Sequence, residues 1–356
     1  MHLIKVPCSS ANIGPGFDVI GLALNMYLEL RVSTKPHPNG PTEPAPLNCT
    51  LSYTGVDPES IDLDPNNNLI TRTALYLLRC HNQHGFPPNT SVAIHNPIPL
   101  GRGLGSSGAA VVAGALLGNL LGGLNLPKAR ILDFVLMVER HPDNVAAALY
   151  GGFVGTYLNE LSPEDLVRIE VPLSEVLPQP AGGVDTGLRP PVPPVDIGHF
   201  RRFQWSASLK AVAIIPDFEV STAKARGVLP TTYSRQDMIF NLQRLALLTT
   251  VLGDNTPNPA LIYSAMQDKI HQPYRAGLIP ALPNIISSIT PATHKGLCGI
   301  CLSGAGPTIL ALATENFEAI AQAAIAKFKE EGGINCEWML LEPAEDGSTV
   351  VEIPDQ

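Results

Sequence analysis

Charge is scarce in this chain. Asp, Glu, Lys and Arg make up 15% of its 356 residues, where about 25% is usual, and that excludes a charge-laced or disordered polypeptide. Positive charge is scarcer still: 23 Lys plus Arg stand against 32 Asp plus Glu, a net charge of -9. Such a field opposes nucleic acid and anionic membrane surfaces, so neither is expected as a partner. Six cysteines are too few and too scattered for a disulfide scaffold. Cys298 and Cys301 form one CxxC inside LCGICLSG, which reads as a buried strand with its two thiols on opposite faces. No second Cys or His pair completes a zinc site, and His81 and His84 simply close a helix before Gly85. Long apolar runs are missing too. The longest, Ala109 to Gly123, contains Asn119 and four glycines and falls short of the roughly 18 residues a spanning helix needs. The first residues, MHLIKVPCSS, lack the apolar stretch of roughly 7 to 15 residues of a secretion signal, so the expected location is cytoplasmic.

Apolar residues, at 45%, and prolines, at 34, are plentiful. A single core stops growing at roughly 250 to 300 residues, so this length predicts two domains with two cores. Five prolines fall between Pro36 and Pro46 and seven between Pro172 and Pro194, the latter with Gly182, Gly183 and Gly187; both stretches read as surface excursions with few buried contacts. The strand-like run SASLKAVAIIPDFEV follows the second, which places the boundary near Phe203 to Ser206. The domains are then 1–205, with a Pro/Gly-rich insertion near 172–198, and 206–356. Strands are predicted at LNMYLELRVS, CTLSYTG, SVAIHN, before Pro216, and at GLCGICLS, TILALAT and CEWMLLE; helices at NLITRTALYLLRCHNQHG, from about Ser107, at PKARILDFVLMVER, near 221–228, 234–252, 258–271 and 280–289, and at NFEAIAQAAIAKFKEE. Ser234 and Asp237 form a capping box. Strands and helices mixed without strict alternation indicate an α+β fold.

The sharpest feature is NPIPLGRGLGSSGAA. Glycines at 101, 103 and 105, followed by Ser106 and Ser107 at the start of a small-residue helix, let backbone amides approach an anion, and the helix dipole adds positive potential. A phosphate site is the natural reading. It is not a Walker loop, since no Lys precedes the serine. Gly103, Gly105 and Gly108 fit GxGxxG, but Pro97 and Pro99 break the strand before it and no acid occurs from Ala109 through Leu132 to bind a ribose.

VPCSSANIGPGFDVIGLAL, PIPLGRGLGSSGAA and LSGAGPTILAL, in that order, resemble the three motifs of the kinase superfamily of galactokinase, homoserine kinase, mevalonate kinase and phosphomevalonate kinase. SSANIGPGFDVIGLAL, ERHPDNVAAALYGG and STAKARGVLP together are similar to the homoserine kinases, of the fungal type. The resemblance spans all but the two proline-rich stretches. It implies an amino-terminal ribosomal-protein-like domain and a carboxy-terminal ferredoxin-like domain with the active site between them. The implied reaction is ATP-dependent phosphorylation of L-homoserine at its side-chain hydroxyl, a step of threonine biosynthesis, with Mg²⁺. A homodimer is implied as well. A sibling kinase for mevalonate or a sugar, and a non-catalytic sensor on the same scaffold, are the alternatives.

The resemblance assigns homoserine to Asn12, Asp18, His141, Thr222, Arg226 and Arg275. The types suit an amino acid: Arg forks a carboxylate, and Asp or Asn accepts from an ammonium. Read alone, Asn12 and Asp18 are turn formers around Gly14-Pro15-Gly16, and Asp143 is a helix cap. ATP is assigned to Asn68, Pro99, Gly101, Arg102, Gly103, Leu104, Gly105, Ser106, Ser107 and Gly108, with Gly108 standing where the superfamily has Ala. Ser107 and Glu139 would hold Mg²⁺, with Ser106 and Asp133 as competitors, and Asn68 equally caps its helix. Asp18 either orients the hydroxyl or takes its proton. L-Threonine shares the α-carboxylate and α-ammonium and is expected to compete with homoserine.

Overall fold

In the computed structural model, which describes residues 1–35, 47–168 and 189–354, two long antiparallel strands open the chain, β1 (His2–Asn12) and β2 (Gly16–Ser33). Then come β3 (Cys49–Gly55), α1 (Leu69–Cys80) and β4 (Thr90–Asn96), with β3 and β4 parallel as a helical crossover requires. Three helices follow, α2 (Ser106–Leu121), α3 (Lys128–Glu139) and α4 (Pro142–Tyr150), and after them β5 (Phe153–Leu158), α5 (Pro163–Leu166) and β6 (Gly198–Phe203). The remaining chain gives β7 (Lys210–Pro216), α6 (Thr222–Gly227), α7 (Arg235–Val251), α8 (Pro259–Ala265), α9 (Gln272–Arg275) and α10 (Leu282–Ser288). It ends with β8 (Leu297–Leu302), β9 (Ile309–Ala313), α11 (Phe317–Gly332), β10 (Cys336–Leu341) and β11 (Thr349–Glu352).

The fold is α+β, with two sheets. The first runs β11-β1-β2-β4-β3, with β5 joining β2 and β6 joining β5; the second is antiparallel, β10-β7-β9-β8. Strand β2 is long enough to serve two neighbours, pairing with β5 at Ile20–Leu22 and with β4 at Glu29–Ser33. β11 carries the end of the chain back onto β1. Along β7 the side chains alternate: Ala211, Ala213 and Ile215 join the larger apolar cluster, which also holds Phe134, Phe153 and the buried side of α2, while Val212 and Ile214 join a smaller one under α10 and α11. The second sheet is therefore buried on both faces, and its near face is continuous with the core of the first.

Several expectations need correction. Strands β1, β5, β6 and β11 and helices α4, α5 and α9 were not foreseen. Pro7 disguises β1, since proline removes a ladder donor, and a register shift between Pro7 and Cys8 absorbs it. The helix expected over 258–271 stops at Ala265 because the Asp268 carboxylate accepts the N–H groups of Ile270, His271 and Gln272. Cys298 and Cys301 face the same cluster, not opposite ones, because β8 shifts register between Leu297 and Gly299; all six cysteines are free. Residues 36–46 and 169–188 of the proline-rich stretches lie outside the described residues. What is described of the second is not loosely held: Arg130 donates to the carbonyls of Pro193 and Pro194, and Asp133 accepts from the N–H groups of Asp196 and Ile197.

Candidate active site

The glycine loop is built to sit tightly against both sheets. Gly103 (φ +80°) lies so close to the β8–β9 turn that a Cβ would fall 2.4 Å from the Ser303 carbonyl oxygen, and one at Gly105 (φ +69°) would fall 2.1 Å from Ser9 Oγ. Four consecutive loop carbonyls are taken up by the protein behind: Gly101 by Val220 N–H, Arg102 by Thr308 N–H, Gly103 by Ser303 Oγ and Leu104 by Ser9 N–H. Helix α2 then starts at Ser106 with no capping side chain and no acid in its first turn, which leaves its leading N–H groups for a ligand. Gly101, Gly103, Gly105, Ser106 and Ser107 line the cleft. The other loop residues support it from outside. The Leu104 side chain is buried in the core, Arg102 donates to the Pro216 carbonyl at 2.8 Å, and Gly108 faces α4. Pro99 lines neither this cleft nor the recess beside it.

Opposite the loop, the same cleft gathers Asn12, Asp18, His141, Thr222, Arg226 and Arg275 from five separate segments. Asp18 has φ +57° at the start of β2, just past the turn that follows β1, and its N–H is held by Asn12 Oδ1 at 3.1 Å, while Asn12 Nδ2 donates to the Gly304 carbonyl. Arg226, on α6, donates to Asp18 Oδ1 at 2.6 Å and to His141 Nδ1 at 2.8 Å. A guanidinium can only donate, so His141 is neutral with its proton on Nε2. Burial and the neighbouring Arg226 hold its pKa down at about 4. Arg275 is 2% exposed, with Nε on the Ala225 carbonyl and a terminal nitrogen on Gly304 O at 2.8 Å, and burial lowers its pKa to about 10. Thr222 opens α6.

A recess next to the glycine loop shares Gly101, Ser106 and Ser107 and is walled by Tyr53, Ile61, Asn68, Leu69 and Ala110. Both polar atoms of Asn68 are engaged, Oδ1 capping α1 at Ile70 N–H and Nδ2 donating to Asp62 O. It therefore shapes the recess while it caps the helix.

The family called GHMP kinases N terminal domain matches residues 68–152, and the one called GHMP kinases C terminal matches 246–330. The homoserine kinase of Saccharomyces cerevisiae is 58% identical over 98% of this chain and 98% of its own. This chain belongs to the homoserine kinase family. The homoserine kinase of Schizosaccharomyces pombe is 51% identical, again over 98% of each chain. Among solved structures, homoserine kinase from Cytophaga hutchinsonii superposes with a TM-score of 0.69 at 25% identity, covering 98% of this chain and 96% of that one. A mevalonate kinase at 13% identity and a TM-score of 0.59 shares the fold.

Within this homoserine kinase fold, Ser107 Oγ lies 3.4 Å from Glu139 Oε1 at the head of α2, facing the loop. These are two hard oxygens, few enough to leave a cation's other positions to water and phosphate, so the donor set fits magnesium. Among the described residues no group of three or more His, Cys, Asp and Glu could hold a metal. Asp133 lines no part of the cleft; it is 2% exposed and committed to Arg130 and two backbone N–H groups.

Residue-by-residue reading missed Phe17, Asp143, Asn144 and the Gly304–Gly306 turn, all of which line the cleft. Asp143 is not the helix cap it was expected to be. His141 takes that place, and Asp143 is buried in the first turn of α4, where desolvation and the Asp18 carboxylate push its pKa up to about 7. Its position inside ERHPDN was the available signal.

Proposed function

We propose that this chain transfers the γ-phosphoryl group of ATP to the side-chain hydroxyl of L-homoserine, giving O-phospho-L-homoserine on the way to threonine. The observation that carries the reading is the Asp18–Arg226 pair with Arg275 beside it, across a narrow cleft from an anion-binding glycine loop. A zwitterionic amino acid complements that arrangement: Arg275 and Arg226 meet the carboxylate and Asp18 with Asn12 meets the ammonium. Thr222 and His141 close the pocket around them, and the side-chain hydroxyl is left to point at the loop. The recess walled by Tyr53 and Asn68 takes the nucleoside, and the leading N–H groups of α2 take the phosphates. Ser107 and Glu139 would hold Mg²⁺, which neutralises charge on the β- and γ-phosphates when bound. The phosphoryl transition state is loose, so direct in-line transfer needs position and fixed dipoles more than a strong base. Asp18, already ion-paired with Arg226, suits orientation of the ligand.

Six free cysteines, with Cys8 and Cys301 pushed up to about 12 by burial, support a reducing, cytoplasmic location. Among the described residues no helix is long and apolar enough to cross a membrane. The homodimer implied by the resemblance finds support in the outer side of α7, where Met238, Ile239, Leu242 and Leu247 are exposed.

The deciding measurement is coupled ADP release with homoserine, mevalonate and galactose offered separately. Turnover with mevalonate or galactose alone would sink the reading. L-Threonine, whose hydroxyl sits one carbon nearer the α-carbon, should compete with homoserine at saturating ATP. Arg226→Ala or Arg275→Ala should weaken both ligands about 10- to 150-fold, the worth of a charge-assisted hydrogen bond, with ATP affinity nearly unchanged. Non-competitive threonine inhibition would place its site elsewhere.

A further inference from the structure

Behind the cleft, the two ends of the amino-acid pocket are joined by a histidine that does not line it. His271 is completely buried at the start of α9, with Nε2 2.7 Å from the Gly14 carbonyl oxygen and Nδ1 3.1 Å from a terminal nitrogen of Arg275. Because the guanidinium donates, Nδ1 must accept, and Nε2 must carry the hydrogen it gives to Gly14. A single neutral tautomer satisfies both partners. The ring cannot swing freely. Its own N–H and that of Gln272 are bound by the Asp268 carboxylate at 3.0 and 2.7 Å, and Asn241 Nδ2 donates to the same carboxylate at 2.8 Å. Its face is stacked on Phe17 at 5.4 Å between centroids, and the guanidinium carbons of Arg226 and Arg275 stand 5.4 and 5.3 Å from that same Phe17 ring.

Each bond of His271 reaches a different part of the ligand's frame. Gly14 belongs to the turn that sets Asn12 and Asp18. Arg275 also binds Gly304 O, the carbonyl that Asn12 Nδ2 uses, so the histidine closes a ring of contacts through both sheets.

We propose that His271 is a positioning residue for the amino-acid substrate, the Nδ1 of its neutral imidazole accepting from the Arg275 guanidinium and fixing it where the substrate carboxylate binds. This rests on the reading of Arg275 as the carboxylate ligand. Burial, reinforced by Arg275, keeps the imidazole below its ordinary pKa despite the Asp268 carboxylate, so the required form persists.

Two isosteric changes separate the two bonds. In His271→Asn the side-chain oxygen can stand where Nδ1 accepts from Arg275; in His271→Gln the amide nitrogen can stand where Nε2 donates to Gly14. Steady-state kinetics on the full chain, well below the melting temperature of the weaker variant, should give His271→Gln a homoserine KM raised about 10-fold, the lower bound for one hydrogen bond to a charged group. The KM for ATP should stay within about twofold and kcat within about threefold of the parent. His271→Asn should keep its homoserine KM within about threefold. In an Arg275→Ala background His271→Gln should add less than about twofold, since the group it positions is gone. A merely structural histidine would move both KM values together, or would give the same rise with and without Arg275; either result, or a rise of about 10-fold in His271→Asn, overturns the proposal. If Arg275→Ala alone leaves the homoserine KM unchanged, it is the carboxylate reading that fails.

Discussion

Ser107 and Glu139 meet at 3.4 Å although 32 positions separate them, because α2 starts where α3 ends. They meet at the head of α2, beside the glycine loop, so their removal should act on transfer and not on capture of the amino acid. Ser107→Ala and Glu139→Ala are expected to lower kcat about 10² to 10⁴-fold, the scale of losing one fixed electrostatic partner, with homoserine KM little changed. Near-normal turnover in Glu139→Ala would return the metal to another acid. Asp133 is poorly placed for that role: its carboxylate serves Arg130 and the 196–197 backbone. At this scale the sequence brought the right residues together, since Asn12, Asp18, His141, Thr222, Arg226 and Arg275, grouped by the resemblance, line one cleft. His271 was not legible, for it sits in HQPYR one turn before Arg275, and nothing in a string of letters says that its ring faces inward and bonds Gly14.

Helix α2 shows how elements constrain single positions. At Gly108 a Cβ would meet Asn144 Cβ at 3.4 Å and Val145 Cγ1 at 3.7 Å, ordinary contact distances, whereas at Gly114 it would lie 2.5 Å from the Ile70 carbonyl oxygen of α1. Gly108→Ala should therefore stabilise the protein by about 0.5 to 1 kcal/mol, the helix-propensity difference. Gly114→Ala should destabilise it by about 1 to 3 kcal/mol, since the two helices must separate. Urea unfolding of both variants tests the contrast, and equal effects would mean that α1 and α2 are not in such close contact. Helix α3 makes a second case. Arg130 ties Asp133 to the Pro193 and Pro194 carbonyls, so Arg130→Ala leaves an almost fully buried carboxylate without its cation and should cost roughly 3 kcal/mol. A loss under about 0.5 kcal/mol would show that residues 189–197 hold themselves in place. These elements were legible where hydrophobic period and caps agree: Ser234 does cap α7 through Asp237 N–H, and Asn68 caps α1. They were illegible where a side chain outcompetes the backbone, as Asp268 does after α8, or where a bulge resets alternation, as in β8.

Over the whole molecule, the larger core crosses from the first sheet to the near face of the second, so we propose the division at 205/206 as a boundary of folding units that share apolar surface. The site lies on that junction, and two of its groups, half-buried His141 and buried Asp143, titrate in opposite senses. His141 has a folded pKa of about 4 against an ordinary 6.5, so its share of stability is present above 6.5 and is lost as pH falls toward 4. Asp143 has a folded pKa of about 7 against 3.8, so its share is present below 3.8 and is lost as pH rises toward 7. Between pH 4 and 6.5 the unfolded chain holds the extra proton on one and the folded chain on the other; the two slopes cancel, and together the pair leaves stability nearly flat. Each substitution should expose the partner. Asp143→Asn should make stability climb with pH over that window, relative to the parent, by on the order of 3 kcal/mol, since only the His141 limb remains. His141→Gln should do the reverse, growing less stable toward neutrality by a similar amount. Urea midpoints read at a series of pH values for the parent and both variants cancel the contributions of all other carboxylates. Two variants whose profiles run parallel to the parent would mean that neither group changes its proton affinity on folding, and the depressed imidazole beside Arg226 would lose its support.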